Sequence, residues 1–421
     1  MLLRSGFLVN LGHGILPYDM SKQTWWQPPR RFEDRQNERK ISWLELFYDL
    51  VYVACIGQIT SHIAAHPDGE NIGNAVLYFV FIYWSWINGT QYYELHGNDT
   101  VRTRWLVFLQ MLAVGAVAIS VPEAFRGNIF SFTVSFLVVQ GIIIYLFASI
   151  SLYDKSHIKL SGPLLLCYGA AFLLLFISLF CPRPAVLPLF LLAIVINLSA
   201  PVLSGRYLTN ILSARGQQFS ASPALVERFG QFTIIVLAES VLSTVSGFSL
   251  VNTISLPAWA IFCLSISIAF LLWSIYFDMT NEQELKTGYG YYQCFVFVHL
   301  VLLAALGVFG ACLKNLVGHF EAPVPPVLSR IILISLALFL VSMCAIGRLI
   351  AVDDQQTRSY HRQVIRWNMV VAFLLVAISI FLKDCSAFNL LLTIFLLLAI
   401  PVVVGIVTWL KNENDSENGS D

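Results

Sequence analysis

The chain contains about twelve apolar runs long enough to cross a bilayer, since a membrane-spanning helix needs about 20 apolar residues. Only 12% of its 421 residues are charged, whereas soluble domains carry about 25%. We therefore predict an integral membrane protein with an all-α fold, a polytopic bundle of transmembrane helices. The predicted spans are 41–63, 74–93, 105–121, 129–152, 160–181, 185–203, 229–248, 255–277, 291–313, 328–350, 367–382 and 387–410.

Basic residues are unevenly divided between the two predicted sides of the membrane. With the N-terminus inside, roughly four-fifths of the 25 Lys and Arg residues fall on the inner side, as the positive-inside rule requires. Both termini are therefore predicted to be cytosolic, and the plasma membrane is the expected location. Residues 1–40 are a charged and aromatic juxtamembrane segment, and residues 411–421 are a short acidic cytosolic tail without predicted structure.

The two halves of the chain resemble each other. Trp84 in the second span matches Trp273 in the eighth, and Gln110 in the third corresponds to His299 in the ninth at the same offset. Because each half holds an even number of spans, the halves run in the same direction through the membrane. Parallel repeats of this kind build many transporters, with a site between the halves.

These matches divide the chain into two parallel six-helix repeats, residues 41–203 and 229–410. Between them, residues 204–222 are polar and flexible in composition, so 204–228 is predicted to be a cytosolic linker followed by the start of the seventh span. The repeats place any functional site at their interface.

Asp49 lies inside the first span, where an ionised carboxylate costs roughly 2.5–3.5 kcal/mol at the helix centre. With Glu45, Tyr48 and Tyr52 it forms a polar stripe on one helix face. Lipid cannot solvate such a stripe, so it should face the protein interior. Asp49 is predicted either to bind an ion or to form a buried structural pair.

Two structural alternatives apply to these acids. Ser42 and Glu45 fit a capping box, in which both side chains bond free N–H groups at a helix start. For the deeper acid, Asp49, the expected partner is an arginine from another span's end, such as Arg102 or Arg104.

Glu239 is the deepest acid of the chain, about 15 Å along the seventh helix. It is the best candidate for a proton or cation site, the alternative being a protonated carboxyl bonded to a backbone carbonyl. His299, Gln110 and Asn88 are predicted to line a cavity entered from the cytosol, and Asp278 lies near the inner end of the eighth span. The candidate ion- or substrate-binding residues are Glu45, Asp49, Asn88, Gln110, Glu239, Asp278 and His299.

Several motifs carry a family resemblance. Trp43-Leu-Glu45-Leu-Phe-Tyr-Asp49-Leu-Val-Tyr-Val53 resembles the E-L-F-F-D-L-V-F-V signature of the bacterial low-temperature requirement protein A family. Glu227-Arg-Phe-Gly230 and Ile235-Val-Leu-Ala-Glu239-Ser240 resemble its E-R-x-G and L-G-E-S elements, although Ala238 replaces the usual Gly. Trp273-Ser-Ile-Tyr-Phe-Asp278 resembles its W-x-Y-F-D element. The resemblance implies a polytopic membrane protein in which Asp49 and Glu239 matter, but it names no substrate.

Other function classes receive little support. The formal net charge is zero with no basic block, so nucleic-acid binding is not indicated. The eight cysteines form no C-x-x-C pair, and neither catalytic nor nucleotide-binding motifs occur, so we expect no metal, no cofactor and no enzyme. We predict a proton- or cation-coupled transporter whose partners are the lipid bilayer and a small ion or solute. The alternatives are a cation channel, a non-catalytic scaffold or sensor, and a lipid-acting membrane enzyme.

Overall fold

The computed structural model describes residues 27–30, 41–98, 100–153, 158–214, 216–249, 251, 255–352, 355–382 and 385–418. The predicted all-α polytopic bundle is confirmed. Apart from residues 27–30, the predicted N-terminal segment lies outside the described residues. Within them the helices are α1 (Trp43–Ala65), α2 (Gly69–His96), α3 (Val101–Phe125), α4 (Phe130–Tyr153), α5 (Ile158–Ser178), α6 (Arg183–Ser213), α7 (Pro223–Phe248), α8 (Leu256–Thr280), α9 (Tyr289–Gly318), α10 (Pro326–Leu349), α11 (Gln355–Phe381) and α12 (Ala387–Asn418).

One helix, α2, differs from the others in polarity. In the described chain, 11 helices are long and apolar enough to span a membrane, and α2 is not among them. It is nevertheless 28 residues long, and every residue from Phe81 to Thr90 is buried. A helix enclosed by protein does not need to match lipid, so α2 can carry polar residues through the bundle.

Serine caps fix where α1 and α7 begin. The backbone N–H of Glu45 donates to Ser42 Oγ at 3.3 Å, and the Ser42 hydroxyl donates to Glu45 Oε1 at 2.9 Å. The predicted cap therefore forms, and the Glu45 carboxylate accepts from the serine hydroxyl. Ser222 caps α7 in the same way, accepting from the N–H of Leu225 at 3.1 Å, and Pro223 occupies the first helical position.

Two predicted non-helical segments are shorter than expected. α6 continues to Ser213, so residues 204–213 are helical instead of belonging to a flexible linker. Leu208 and Leu212 are buried there, which keeps the last turns packed on the bundle. α12 likewise reaches Asn418, because no Pro or Gly interrupts the predicted tail before Gly419.

The helices of the two halves have the same order of neighbours. α1 packs on α3, α3 on α4, α4 on α5 and α5 on α6, while α7 packs on α9, α9 on α10, α10 on α11 and α11 on α12. The halves meet where α1 contacts α7 and α9 and where α2 contacts α9. This seam between α1, α2, α7 and α9 positions most of the polar residues considered below.

Candidate functional site

A buried ion cluster joins the start of α1 to the start of α7. Arg228 donates from Nη2 to Asp49 Oδ1 at 2.8 Å and from Nε to Asp49 Oδ2 at 3.3 Å. Its Nη1 donates to Glu45 Oε2 at 3.2 Å. All three side chains are buried, with Asp49 only 1% exposed. We call Glu45, Asp49 and Arg228 the ion triad.

Aromatic side chains enclose the ion triad. The indole Nε1 of Trp86 donates to Asp49 Oδ1 at 2.7 Å, so both oxygens of this carboxylate accept hydrogen bonds. The ring centroid of Tyr48 lies 5.7 Å from the guanidinium carbon of Arg228, within cation–π range. The Tyr48 and Tyr52 hydroxyls are 2.8 Å apart. The guanidinium and both carboxylates are thus hydrogen-bonded and removed from lipid, the condition that a buried ion pair requires.

The prediction that Arg102 or Arg104 pairs with Asp49 is wrong. Arg102 instead donates to the Tyr92 hydroxyl at 3.4 Å and to Ser149 Oγ at 3.0 Å, and Arg104 is exposed. Arg102 starts from the first turn of α3, where its side chain reaches hydroxyls of α2 and α4. The acid is reached from α7, which lies beside α1 in space despite its distance in sequence.

Glu239 has a different environment from the ion triad. Its Oε1 accepts from the Thr60 hydroxyl at 2.8 Å and, at the limit of a hydrogen bond, from the Ser243 hydroxyl at 3.5 Å. The side chain is partly exposed. Gly57 faces it, since a Cβ on Gly57 would lie 3.9 Å from Oε2. Within the described part of the chain, neither Arg nor Lys lies within ion-pair distance of Glu239.

The ion triad and the Thr60–Glu239 hydrogen bond are two contacts between the same pair of helices, α1 and α7. Asp49–Arg228 and Thr60–Glu239 have the same separation of 179 residues. Equal separations mean that α1 and α7 run in the same direction and keep their register. The two contacts lie three helical turns apart, about 16 Å along the helix axes, on the same faces of both helices. Asp49 and Glu239 therefore occupy separate sites.

His299 is a hydrogen-bonded core residue. Its Nδ1 lies 2.9 Å from the Phe295 carbonyl oxygen, and its Nε2 lies 3.0 Å from the Tyr276 hydroxyl. Because a carbonyl only accepts, Nδ1 carries the proton and Nε2 accepts from the tyrosine. The rings of Phe229 and Phe295 pack against the imidazole. Both nitrogens are thus occupied within the bundle.

The remaining candidates are dispersed. Gln110 Oε1 accepts from the Tyr93 hydroxyl at 3.0 Å, while its buried Nε2 has no hydrogen-bond partner among the described residues. Asn88 Oδ1 accepts a short hydrogen bond from the Tyr168 hydroxyl. Asp278 is exposed in the last turn of α8. In the described chain, no group of three or more His, Cys, Asp or Glu side chains is arranged to hold a metal ion.

A cavity opens between the halves at the end of the bundle where α1 and α7 begin. It encloses about 710 Å³, including space open to solvent. The ends of α2, α4 and α6 and the beginnings of α5, α7 and α9 surround it. We call this cavity the vestibule. Its lining includes Gln91, Glu94, Phe147, Phe219, Tyr289 and Tyr292.

Four buried polar side chains lie deeper in the bundle than the vestibule. Gln140 Nε2 donates to Asn197 Oδ1 at 3.0 Å, and Tyr168 donates to Asn88. Each of the four lies one or two helical turns from a vestibule-lining residue of its own helix. None of Asn88, Gln110 and His299 is among the described residues that line the vestibule.

Comparison with known proteins identifies the family. Residues 40–408 match the family model described as bacterial low temperature requirement A protein. The chain belongs to this family. It is also similar to the uncharacterized protein RA0937 of Rhizobium meliloti (strain 1021), with 27% identity over 263 residues. That match covers 60% of this chain and 61% of the relative, so it spans less than two thirds of the relative's length.

Arg228 is the site residue of this low temperature requirement A chain that sequence reasoning missed. Its signal was present, because it stands in Glu227-Arg-Phe-Gly230, the element that resembles the family's E-R-x-G. An arginine in the second turn of a membrane-spanning helix needs a counter-charge as much as Asp49 does. Two such anomalies in two helices that run in the same direction and contact each other are candidates for pairing.

Proposed function

We propose that the protein moves a proton or a small cation across the membrane, and that the Glu239 carboxylate binds it. The environment of Glu239 carries this proposal. A carboxylate within a membrane span is costly and needs either a counter-charge or an ion. Glu239 receives hydroxyl hydrogen bonds, is partly exposed and faces a glycine, whereas Asp49 is matched by Arg228.

The vestibule supports the proposal because it is a cavity between the halves that opens at one end of the bundle. Loop charges predict that the end at which α1 and α7 begin is cytosolic, and we place the protein in the plasma membrane with its termini inside. The vestibule then opens to the cytosol, between the halves. Sites at the interface of parallel repeats are typical of transporters.

The ion triad has a structural role in this proposal. It links the two halves at their cytosolic end and keeps α1 and α7 in register, so that Thr60 meets Glu239 three turns away. Asp49 and Glu45 then position the site, and neither exchanges an ion.

Flux in liposomes tests the proposal. Purified protein is reconstituted, and proton, sodium and potassium movements are measured for the wild type, Glu239→Gln and Glu227→Gln. Glu227 is a matched control because it is an exposed acid of the same helix that binds Gln231. We expect Glu239→Gln to reduce flux to the level of empty liposomes and Glu227→Gln to retain it. Wild-type flux that persists in Glu239→Gln would remove Glu239 from the mechanism.

One observation favours a second candidate, a non-catalytic membrane scaffold. The ion triad leaves Asp49 fully paired in a buried aromatic enclosure, which is how a purely structural charge is accommodated. Wild-type protein that inserts and folds but moves none of the three ions would support the scaffold against translocation.

A further inference from the structure

The vestibule has one uncharged wall, where α6 faces α9. The described lining residues of these two helices carry no ionised group: Pro201, Ser204, Leu208, Tyr289 and Tyr292. The carboxylate and the imidazole of the lining, from Glu94 and His96, lie on α2 instead. A charged ligand group would lose its hydration against this wall without meeting a counter-charge there, so the wall favours an uncharged ligand. We call it the neutral wall.

Three aromatic rings give the neutral wall a fixed apolar surface. Tyr289 packs edge-on against Phe219 with ring centroids 5.4 Å apart, and the ring centroid of Tyr292 lies 6.2 Å from that of Tyr289. The Tyr289 hydroxyl donates to the Pro201 carbonyl at 3.1 Å. Gly205 makes room for the Tyr289 ring, because a Cβ at that position would overlap it. The rings are therefore ordered before any ligand arrives, which lowers the entropy cost of binding.

Gln293 is a buried amide beside the neutral wall. It follows Tyr292 in sequence and lies one helical turn from Tyr289 on the same face of α9. The residue is only 6% exposed, and within the described chain neither its Nε2 nor its Oε1 has a hydrogen-bond partner. The Tyr289 hydroxyl lies beside this amide, but its proton goes to the Pro201 carbonyl. A buried amide without partners is unfavourable, and a ligand that satisfied it would recover that free energy.

We propose that the vestibule binds a small uncharged aromatic amide. The ring of the ligand packs against Phe219, Tyr289 and Tyr292, since aromatic rings attract one another in edge-to-face or offset arrangements. Its amide pairs with Gln293, because two amides facing each other can each donate one hydrogen bond and accept one. A mostly apolar lining with a few polar groups that orient the ligand is typical of small-molecule sites. The site does not depend on ion movement at Glu239.

Three probe molecules test the chemistry of the ligand. Benzamide has both the ring and the amide, acetamide has only the amide, and benzoate replaces the amide by a charged group. A molecule that binds only the folded protein raises its unfolding midpoint. In lipid nanodiscs we expect benzamide to raise the midpoint, and acetamide and benzoate at the same concentration to leave it unchanged. No rise with benzamide, or an equal rise with benzoate or acetamide, would overturn the proposal.

Gln293→Leu and Gln58→Leu make the same substitution at two places. Gln58 is exposed on α1 and does not line the vestibule, so it is the matched control. Without its two hydrogen bonds to the ligand, Gln293→Leu should need about fivefold more benzamide, or higher, for the same shift. Gln58→Leu should respond as the wild type does.

The stability of Gln293→Leu without ligand separates this role from a structural one. Leucine replaces an unpartnered amide by an apolar group of similar size, so the variant should be at least as stable as the wild type. Lower stability in the absence of benzamide would show that Gln293 holds the bundle together. That result, or an unchanged response of Gln293→Leu to benzamide, would contradict the inference.

Cysteine labelling locates the bound probe. Gln91 lines the vestibule, is half-buried and donates to the Tyr292 hydroxyl at 3.0 Å, so Gln91→Cys places a thiol next to the neutral wall. Asn281→Cys is the control, because Asn281 is exposed beyond the end of α8 and does not line the vestibule. We expect benzamide to slow labelling of Gln91→Cys by a maleimide and to leave Asn281→Cys unaffected. Equal labelling of Gln91→Cys with and without benzamide would place the probe elsewhere and refute the proposed site.

Discussion

Asp49 and Glu239 are both acids within membrane-spanning helices, yet the protein treats them in opposite ways. Asp49 accepts two hydrogen bonds from Arg228 and one from Trp86, and it is almost completely buried. Glu239 accepts from the hydroxyls of Thr60 and Ser243 and remains partly exposed. The same two helices thus carry two sites three turns apart. At one site an arginine balances the carboxylate, and at the other the carboxylate is uncompensated, with neither Arg nor Lys beside it in the described chain.

The two carboxylates differ in whether a fixed partner holds their charge. A buried pair with a bidentate arginine is rigid, and removing either partner leaves an unpaired charge in a low-dielectric interior. A carboxylate held by neutral hydroxyls keeps its charge available to an ion that can approach. The ion triad should therefore govern folding, and Glu239 should govern any ion chemistry.

The largest expected effect comes from removing the cation of the ion triad. Arg228→Ala leaves Asp49 buried without its counter-charge and removes one partner of Glu45. Because breaking a buried pair in this way costs about 3–5 kcal/mol, we expect a strong loss of thermal stability in nanodiscs and poor recovery of folded protein. Arg104→Ala, at an exposed arginine, is the control and should behave as the wild type. Equal stability of the two variants would mean that the triad does not hold the halves together.

Sequence patterns predicted the elements of the fold well, because bilayer thickness imposes a simple rule of length and polarity. The clearest departure is α2, whose buried polar residues reduce its hydropathy below that of a span. Only packing shows that α2 is enclosed by other helices. The end of α6 was placed too early for a similar reason, since a polar sequence after residue 203 stays helical when Leu208 and Leu212 pack inward.

The candidate site was predicted only in part. The polar stripe of Glu45 and Asp49 does face the interior, and the Ser42 cap does form. The pairing with Arg228 was missed although the arginine itself stood out, because the sequence does not show which helices are neighbours across 179 residues. Nearness in sequence favoured Arg102 as the partner of Asp49, but in the folded protein Arg102 donates to Ser149 instead.

The next largest effect is expected when Asp49 and Glu239 are each replaced by the corresponding neutral amide. Asp49→Asn removes a charge that Arg228 binds, while Glu45 still faces the guanidinium, so we expect a loss of about 1.5–3 kcal/mol, the range for hydrogen bonds to charged groups. Glu239→Gln leaves no opposite charge stranded and should cost less than about 1 kcal/mol. Unfolding midpoints in the same lipid measure both. Equal losses, or a larger loss for Glu239→Gln, would break the distinction between the sites.

The smallest expected effect concerns the hydroxyl that positions Glu239. Thr60→Val keeps the shape of the side chain but removes the donor to Oε1, so we expect a cost of about 0.5–1.5 kcal/mol, reduced where water replaces the hydroxyl. Thr244→Val is the matched control, because the Thr244 hydroxyl donates to the Ser240 carbonyl of its own helix and, within the described residues, to no side chain.

The two threonine variants become decisive when stability is measured at rising cation concentration. An ion that binds only the folded protein stabilises it in proportion to the logarithm of its concentration, and a weaker site needs more ion for the same shift. If Glu239 holds the ion with help from Thr60, Thr60→Val should need up to about tenfold more cation than Thr244→Val, since each tenfold is about 1.4 kcal/mol. If the stability of both variants responds to the cation as that of the wild type does, the Thr60 hydroxyl does not help Glu239 to bind an ion. Thr60 then contributes only packing.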